Sequence, residues 1–171
     1  MTLERWQAGP VPGIPPLLQP VAHALLQALD DVTPAATLPA PQLWARPGGA
    51  AAVGWHLLHL AGSTDRLFTY ARGESLSEAQ RRDLALERDL PEPRPPGADL
   101  LHLVEARFRA ALDQLAATDP DRLFDPREVG RARLPSTVLG LLVHAAEHAA
   151  RHAGQMVTTM KFLSGLPVGT D

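Results

Sequence analysis

Residues 141–156 read LLVHAAEHAARHAGQM, and the fold class is decided in this stretch. It is rich in alanine, free of proline, and carries His144, His148 and His152 at every fourth position. Each helical residue advances ~100°, so the three imidazoles fall within ~80° of one another, together with Leu141, Ala145, Gln155 and Met156. The reading is a long helix whose histidine face turns inward. Buried imidazoles without partners are costly, so the face calls for a shared cation or a full hydrogen-bond network.

Outward from this helix, proline and glycine divide the chain, and the segments between them have helical rather than alternating periodicity. No strand-like run is apparent. Residues 1–15 read as an irregular segment, with GPVPGIPP at its end. Leu18, Val21, Leu25, Leu29 and Val32 then step by threes and fours through a first helix, with Pro20 in its opening turn. Residues 33–49 hold four prolines and two glycines and read as an extended surface connection anchored by Trp44. A second helix is expected from about Ala51 to Arg72, ended by Gly73 as a left-handed cap.

Ser75 and Glu78 resemble a capping box opening a short helix through residues 77–89. PEPRPPG at 91–97 breaks the chain. Leu101, Val104, Phe108, Leu112 and Leu115 form the stripe of a third long helix, which stops near Asp119 and Pro120. A polar connection with Pro126 and Gly130 follows. Pro135 and Ser136 announce the last long helix, closed by Gly165 and Pro167. The expectation is an all-α four-helix bundle with crossover connections, in one domain spanning residues 1–171.

Composition narrows the chemistry. Cysteine is absent, which excludes disulfides, thiolate ligands and a cysteine nucleophile and leaves histidine and carboxylates as protein ligands. A net charge of -3 offers no basic face for nucleic acid. No leader pattern opens the sequence and no apolar run approaches the ~20 residues of a membrane span. A cytoplasmic protein without nucleic-acid or membrane partners is expected, and a homodimer is open. Fifteen arginines to a single lysine, Lys161, point to a GC-rich bacterial genome.

A second pair, His56 and His59 in WHLLHLAGS, lies on the second helix near Gly62, whose small size lets another element approach. Two imidazoles at i and i+4 on one helix and a third from a partner helix can hold a transition-metal ion. Spacing alone admits His144 with His148 as readily as His148 with His152, and the helical wheel slightly favours His56 over His59. His23 and His102 fall on polar faces and read as solvated. Asp65 and Glu147 sit about 100° or more off the histidine faces, so neither reads as a general base.

VGWHLLHLAGSTDRLFTYARGESLS (53–77) and STVLGLLVHAAEHAARHAGQM (136–156) together resemble the DinB/YfiT-like proteins, four-helix bundles described as metal-dependent hydrolases or S-transferases. That resemblance covers most of the chain and implies a triad of one histidine from the second helix and two from the last. At matching positions these are His59, His148 and His152. His56, His144 and Gln155 become candidates for orienting a ligand or lining a pocket. The implied cofactor is a divalent transition metal, zinc or nickel first and iron or manganese next. The implied activity is hydrolysis of an ester or amide, or transfer of a low-molecular-weight thiol, on a small-molecule substrate. The alternative is a non-catalytic, stress-associated bundle in which the ion is structural.

Overall fold

The computed structural model describes residues 3–90 and 92–165. Pro167, expected to close the last helix, lies outside them. Among the described residues six α-helices run in chain order: α1 (Gln19–Val32), α2 (Ala40–Leu43), α3 (Val53–Ala71), α4 (Glu78–Leu86), α5 (Gly97–Ala117) and α6 (Val138–Gly165). Short 3-10 turns at Arg5–Ala8 and Pro16–Leu18 precede α1. The fold is mostly helical, as the periodicity predicts.

Each long helix buries the stripe that its apolar spacing defines. In α1 these residues are Val21, Ala22, Leu25, Ala28 and Val32, and in α5 Leu100, Leu101, Val104, Phe108, Ala111 and Leu115. In α6 they run from Val138 through Leu142, Ala149 and Met156 to Leu163. Burial of the Val, Leu, Phe and Met side chains among them, each worth about 1.5–3 kcal/mol, drives the assembly. The helix α1 packs on α6 and α5, and α3 packs on the same two from the other side. The successive pairs α1 with α3 and α5 with α6 therefore lie across the core from one another, whereas α3 and α5 are neighbours.

Gly73 ends α3 as expected. Its φ is +81°, and the N–H of Glu74 reaches back to the carbonyl of Thr69 at 3.2 Å, the six-to-one bond of a Schellman motif.

Three local expectations are corrected. Residues 33–49 are not extended: they coil through 3-10 turns at Thr33–Thr37 and Pro47–Gly49 and through α2. Prolines in first-turn positions start these turns, since a fixed φ near -65° suits a helix start. Trp44 does anchor the segment, seated where a Cβ on Gly54 would lie 2.8 Å from its ring, with Arg94 over its face at 5.2 Å.

The capping box of α4 is Ser77 with Gln80, two residues later than expected. Ser77 Oγ accepts from the Gln80 N–H at 3.1 Å and Gln80 Oε1 accepts from the Ser77 N–H at 2.9 Å. Gln80 Nε2 also donates to Asp65 and Thr69 on α3, a tie unavailable to Glu78.

The polar connection before α6 holds an antiparallel hairpin, β1 (Pro126–Val129) with β2 (Leu134–Thr137), in which Arg127 faces Ser136. Four residues with a proline in each strand are too short and polar for an alternating signal. Arg127 Nε pins the hairpin to the carbonyl of Ala71 at 2.8 Å. Thr137 then caps α6, its Oγ1 accepting from the Gly140 N–H at 3.0 Å. No helix among the described residues is long and apolar enough to cross a membrane.

Candidate metal centre

Helices α3 and α6 face each other where their histidines lie. One ring nitrogen from each of His59, His148 and His152 can be chosen so that all three lie within 4.8 Å of one another, and each residue is half-buried. His59 Nε2 stands 3.4 Å from His148 Nε2. Nitrogens sharing a tetrahedral ion at about 2.05 Å are roughly 3.3–3.4 Å apart.

Every member of the trio has its Nδ1 engaged. His59 Nδ1 donates to Glu87 Oε2 at 2.8 Å. Ser63 Oγ donates to the Leu60 carbonyl at 3.3 Å and lies 3.4 Å from His148 Nδ1, positioned to accept from it. His152 Nδ1 meets His56 Nδ1 at 2.8 Å. With Nδ1 as the protonated nitrogen, each ring keeps an Nε2 lone pair. In His59 and His148 those lone pairs face each other across 3.4 Å, an arrangement that calls for a positive charge between them. The donor set, three imidazoles tethered at Nδ1, therefore fits a divalent cation.

Burial and neighbouring charge keep His56, His148 and His152 neutral. Burial, reinforced by His59, lowers His56 to about 4. His148 falls to about 4 through burial first, then through His59, His144 and Arg66, with Glu87 opposing. His152 falls to about 3 through burial, His148, His59, His56 and Arg151. At neutral pH these three histidines are therefore uncharged, each with one N–H and one ring-nitrogen lone pair. For Glu87, burial is the largest single influence and pushes upward, yet hydrogen bonds and charge from His59 and Arg66 hold it below the ordinary carboxylate value.

Among the supporting candidates, His56 is buried at 5% exposure and touches His152. The inward orientation expected of the whole histidine row fails at His144. That side chain is half exposed and pairs with Glu147 at 3.1 Å, although its ring centroid is only 5.8 Å from that of His148. It lies ~40° further round α6 than His148, away from the stripe of Leu141, Ala145 and Ala149 that the helix buries. Gln155 is exposed and makes no hydrogen bond to the histidines among the described residues.

Asp65 is bound to Gln80 and Arg107, and Glu147 pairs with His144 and Arg151. Both are committed away from the centre. His102 is exposed beside Glu105, whereas His23 is half-buried and bonded to the Gly9 carbonyl at 2.9 Å.

Sequence reasoning missed Glu87, Arg66 and Trp55. Glu87 stands just past α4, with no spacing relation to any histidine. Trp55 stacks on His59 with centroids 4.8 Å apart and planes 8° from parallel. The one trace in the sequence was Gly62, three residues after His59, which marks a close approach without saying by what.

A family model described as the DinB superfamily matches residues 17–156, a span that includes all these groups. No curated protein sequence is a significant match. The crystal structure of a conserved protein of a locus from Enterococcus faecalis is similar, with a TM-score of 0.58 and 22% identity. The alignment covers 87% of this chain and 98% of that one. At that identity the likeness speaks for the fold alone.

Proposed function

We propose, from the premise that the chain belongs to the DinB superfamily, that it is a metal-dependent enzyme of the hydrolase or thiol S-transferase kind. The observation carrying this reading is the shared geometry of three rings, each tethered at Nδ1 with Nε2 left for a cation. His59, His148 and His152 would hold the ion. When bound, such an ion supplies Lewis acidity at coordination positions open to water, a carbonyl oxygen or a thiolate.

The residues around it do the rest. Ser63 and His56 fix the ring planes of His148 and His152, and Trp55 fixes that of His59. Half-burial of the three ligands keeps the centre within reach of a small molecule, which favours an open site over a closed structural one. A thiol cosubstrate must come from outside, because the chain has no cysteine.

The test is a screen of activated esters and of low-molecular-weight thiols with electrophilic acceptors, using untagged protein loaded with zinc or nickel. Turnover that a chelator abolishes and metal restores is the expected result. Absence of metal-dependent turnover in both substrate classes would contradict the enzymatic reading.

A further inference from the structure

Glu87 reaches the histidines from outside the two helices that carry them. It is 6% exposed, accepts from His59 Nδ1 at 2.8 Å, and is gripped by Arg66 through Nη1 and, at 3.1 Å, through Nη2. Its own carbonyl accepts from Trp55 Nε1 at 2.8 Å, while the Trp55 ring lies flat on His59. One residue thus touches the third ligand directly and also holds the indole stacked on it.

The element that delivers Glu87 is weakly anchored otherwise. Helix α4 buries no residue of its own, and Leu86 is 43% exposed. Among the described residues its other side-chain hydrogen bonds to α3 are those of Gln80 to Asp65 and Thr69. With so little apolar area removed from water, the polar contacts of Gln80 and Glu87 account for most of its docking.

Resting on the metal-centre reading above, we infer that Glu87 is the positioning residue of His59 and that, through it, cation binding and the seating of α4 are coupled. By accepting from Nδ1–H, the carboxylate excludes the tautomer that would protonate Nε2, and it makes the ring a better donor. Arg66 keeps that carboxylate ionised and fixes both of its oxygens, so His59 has one orientation. Coupling is reciprocal: an ion favouring the oriented His59 also favours docked α4, and undocking α4 weakens the ion's hold.

The test is a cobalt(II) titration of the metal-free protein, read by the absorption of the bound ion, with hydrogen exchange of residues 78–86 followed with and without cobalt. Wild type is expected to bind one ion and to slow exchange in α4. Glu87→Gln should weaken binding roughly 10- to 100-fold and erase the α4 response, with Glu87→Asp intermediate. Arg82→Ala, on the exposed side of α4, should match wild type in both readouts.

Wild-type affinity in Glu87→Gln, or α4 exchange indifferent to cobalt in the wild type, would overturn the inference while leaving the metal centre standing. A wild-type chain that takes up no cobalt overturns the metal centre and the coupling with it. Should Glu87→Gln fail to fold, Glu87→Asp and the wild-type exchange data still decide.

Discussion

Gly62 and Glu87 compete for one space: a Cβ built on Gly62 would overlap Glu87 Oε1 and lie 2.6 Å from Arg66 Nη1. Glycine at 62 is what lets the carboxylate come up against α3, one turn beyond His59, and reach its ring. Gly62→Ala should therefore push the Glu87–Arg66 pair aside, costing about 1–3 kcal/mol of stability as overpacking and weakening metal binding roughly tenfold or more. Chemical denaturation and a competition titration against a chelator measure the two effects. Unchanged affinity would show that Glu87 can move without disturbing His59.

The last helix offers a discriminating pair. His148→Ala removes a ring nitrogen from the trio and should abolish stoichiometric metal uptake. His144→Ala removes an exposed imidazole paired with Glu147 and should leave uptake unchanged. Equal losses in both variants would mean that the ion sits nearer the start of α6 than the trio places it.

Stability of the metal-free protein should depend on pH with a definite sign. His56 and His148 are held near 4 and His152 near 3 in the fold, against about 6.5 in an unfolded chain. Between those values the unfolded state binds more protons, so unfolding free energy rises with pH in this window. The contribution is complete above about 6.5 and is lost as pH falls toward 4 and below. Melts of metal-free protein at pH 7 and pH 5 should show lower stability at pH 5, with a shallower slope in His148→Ala. A flat or inverted profile would mean that these rings are hydrated in solution.

Metal should stabilise by mass action. At free zinc a hundred times the dissociation constant, the gain is about 2.7 kcal/mol, a rise in melting temperature of about 5–11 °C for a chain of this size. Differential scanning fluorimetry across a zinc series measures it. No shift in wild type under saturating zinc would contradict binding to the native state.

Much of this arrangement is legible in the chain because it follows helical periodicity. The stripes of α1, α5 and α6 and the Gly73 terminus are local properties, written in spacing and in one residue's backbone freedom. The i, i+4 histidine row is equally local, but choosing His148 with His152 over His144 with His148 was beyond spacing, and choosing His59 over His56 was beyond the wheel, since both rings reach α6. In the structure both are used, His59 in the trio and His56 against His152. The inward placement of His144 failed because coverage by α3 is a tertiary fact. Glu87 was invisible for the same reason: its partners are 21 and 28 residues away in sequence, and nothing in LALERD signals them. The hairpin escaped because Arg127 and the backbone ladder hold it, not an apolar face.

The most direct measurement is the metal content of untagged protein after equilibrium dialysis against zinc, compared with His59→Ala, His148→Ala and His152→Ala. One zinc ion per wild-type chain and none in each variant is the predicted result. A wild-type chain that emerges without zinc, or three variants that retain it, would contradict the three-histidine centre on which the functional reading rests.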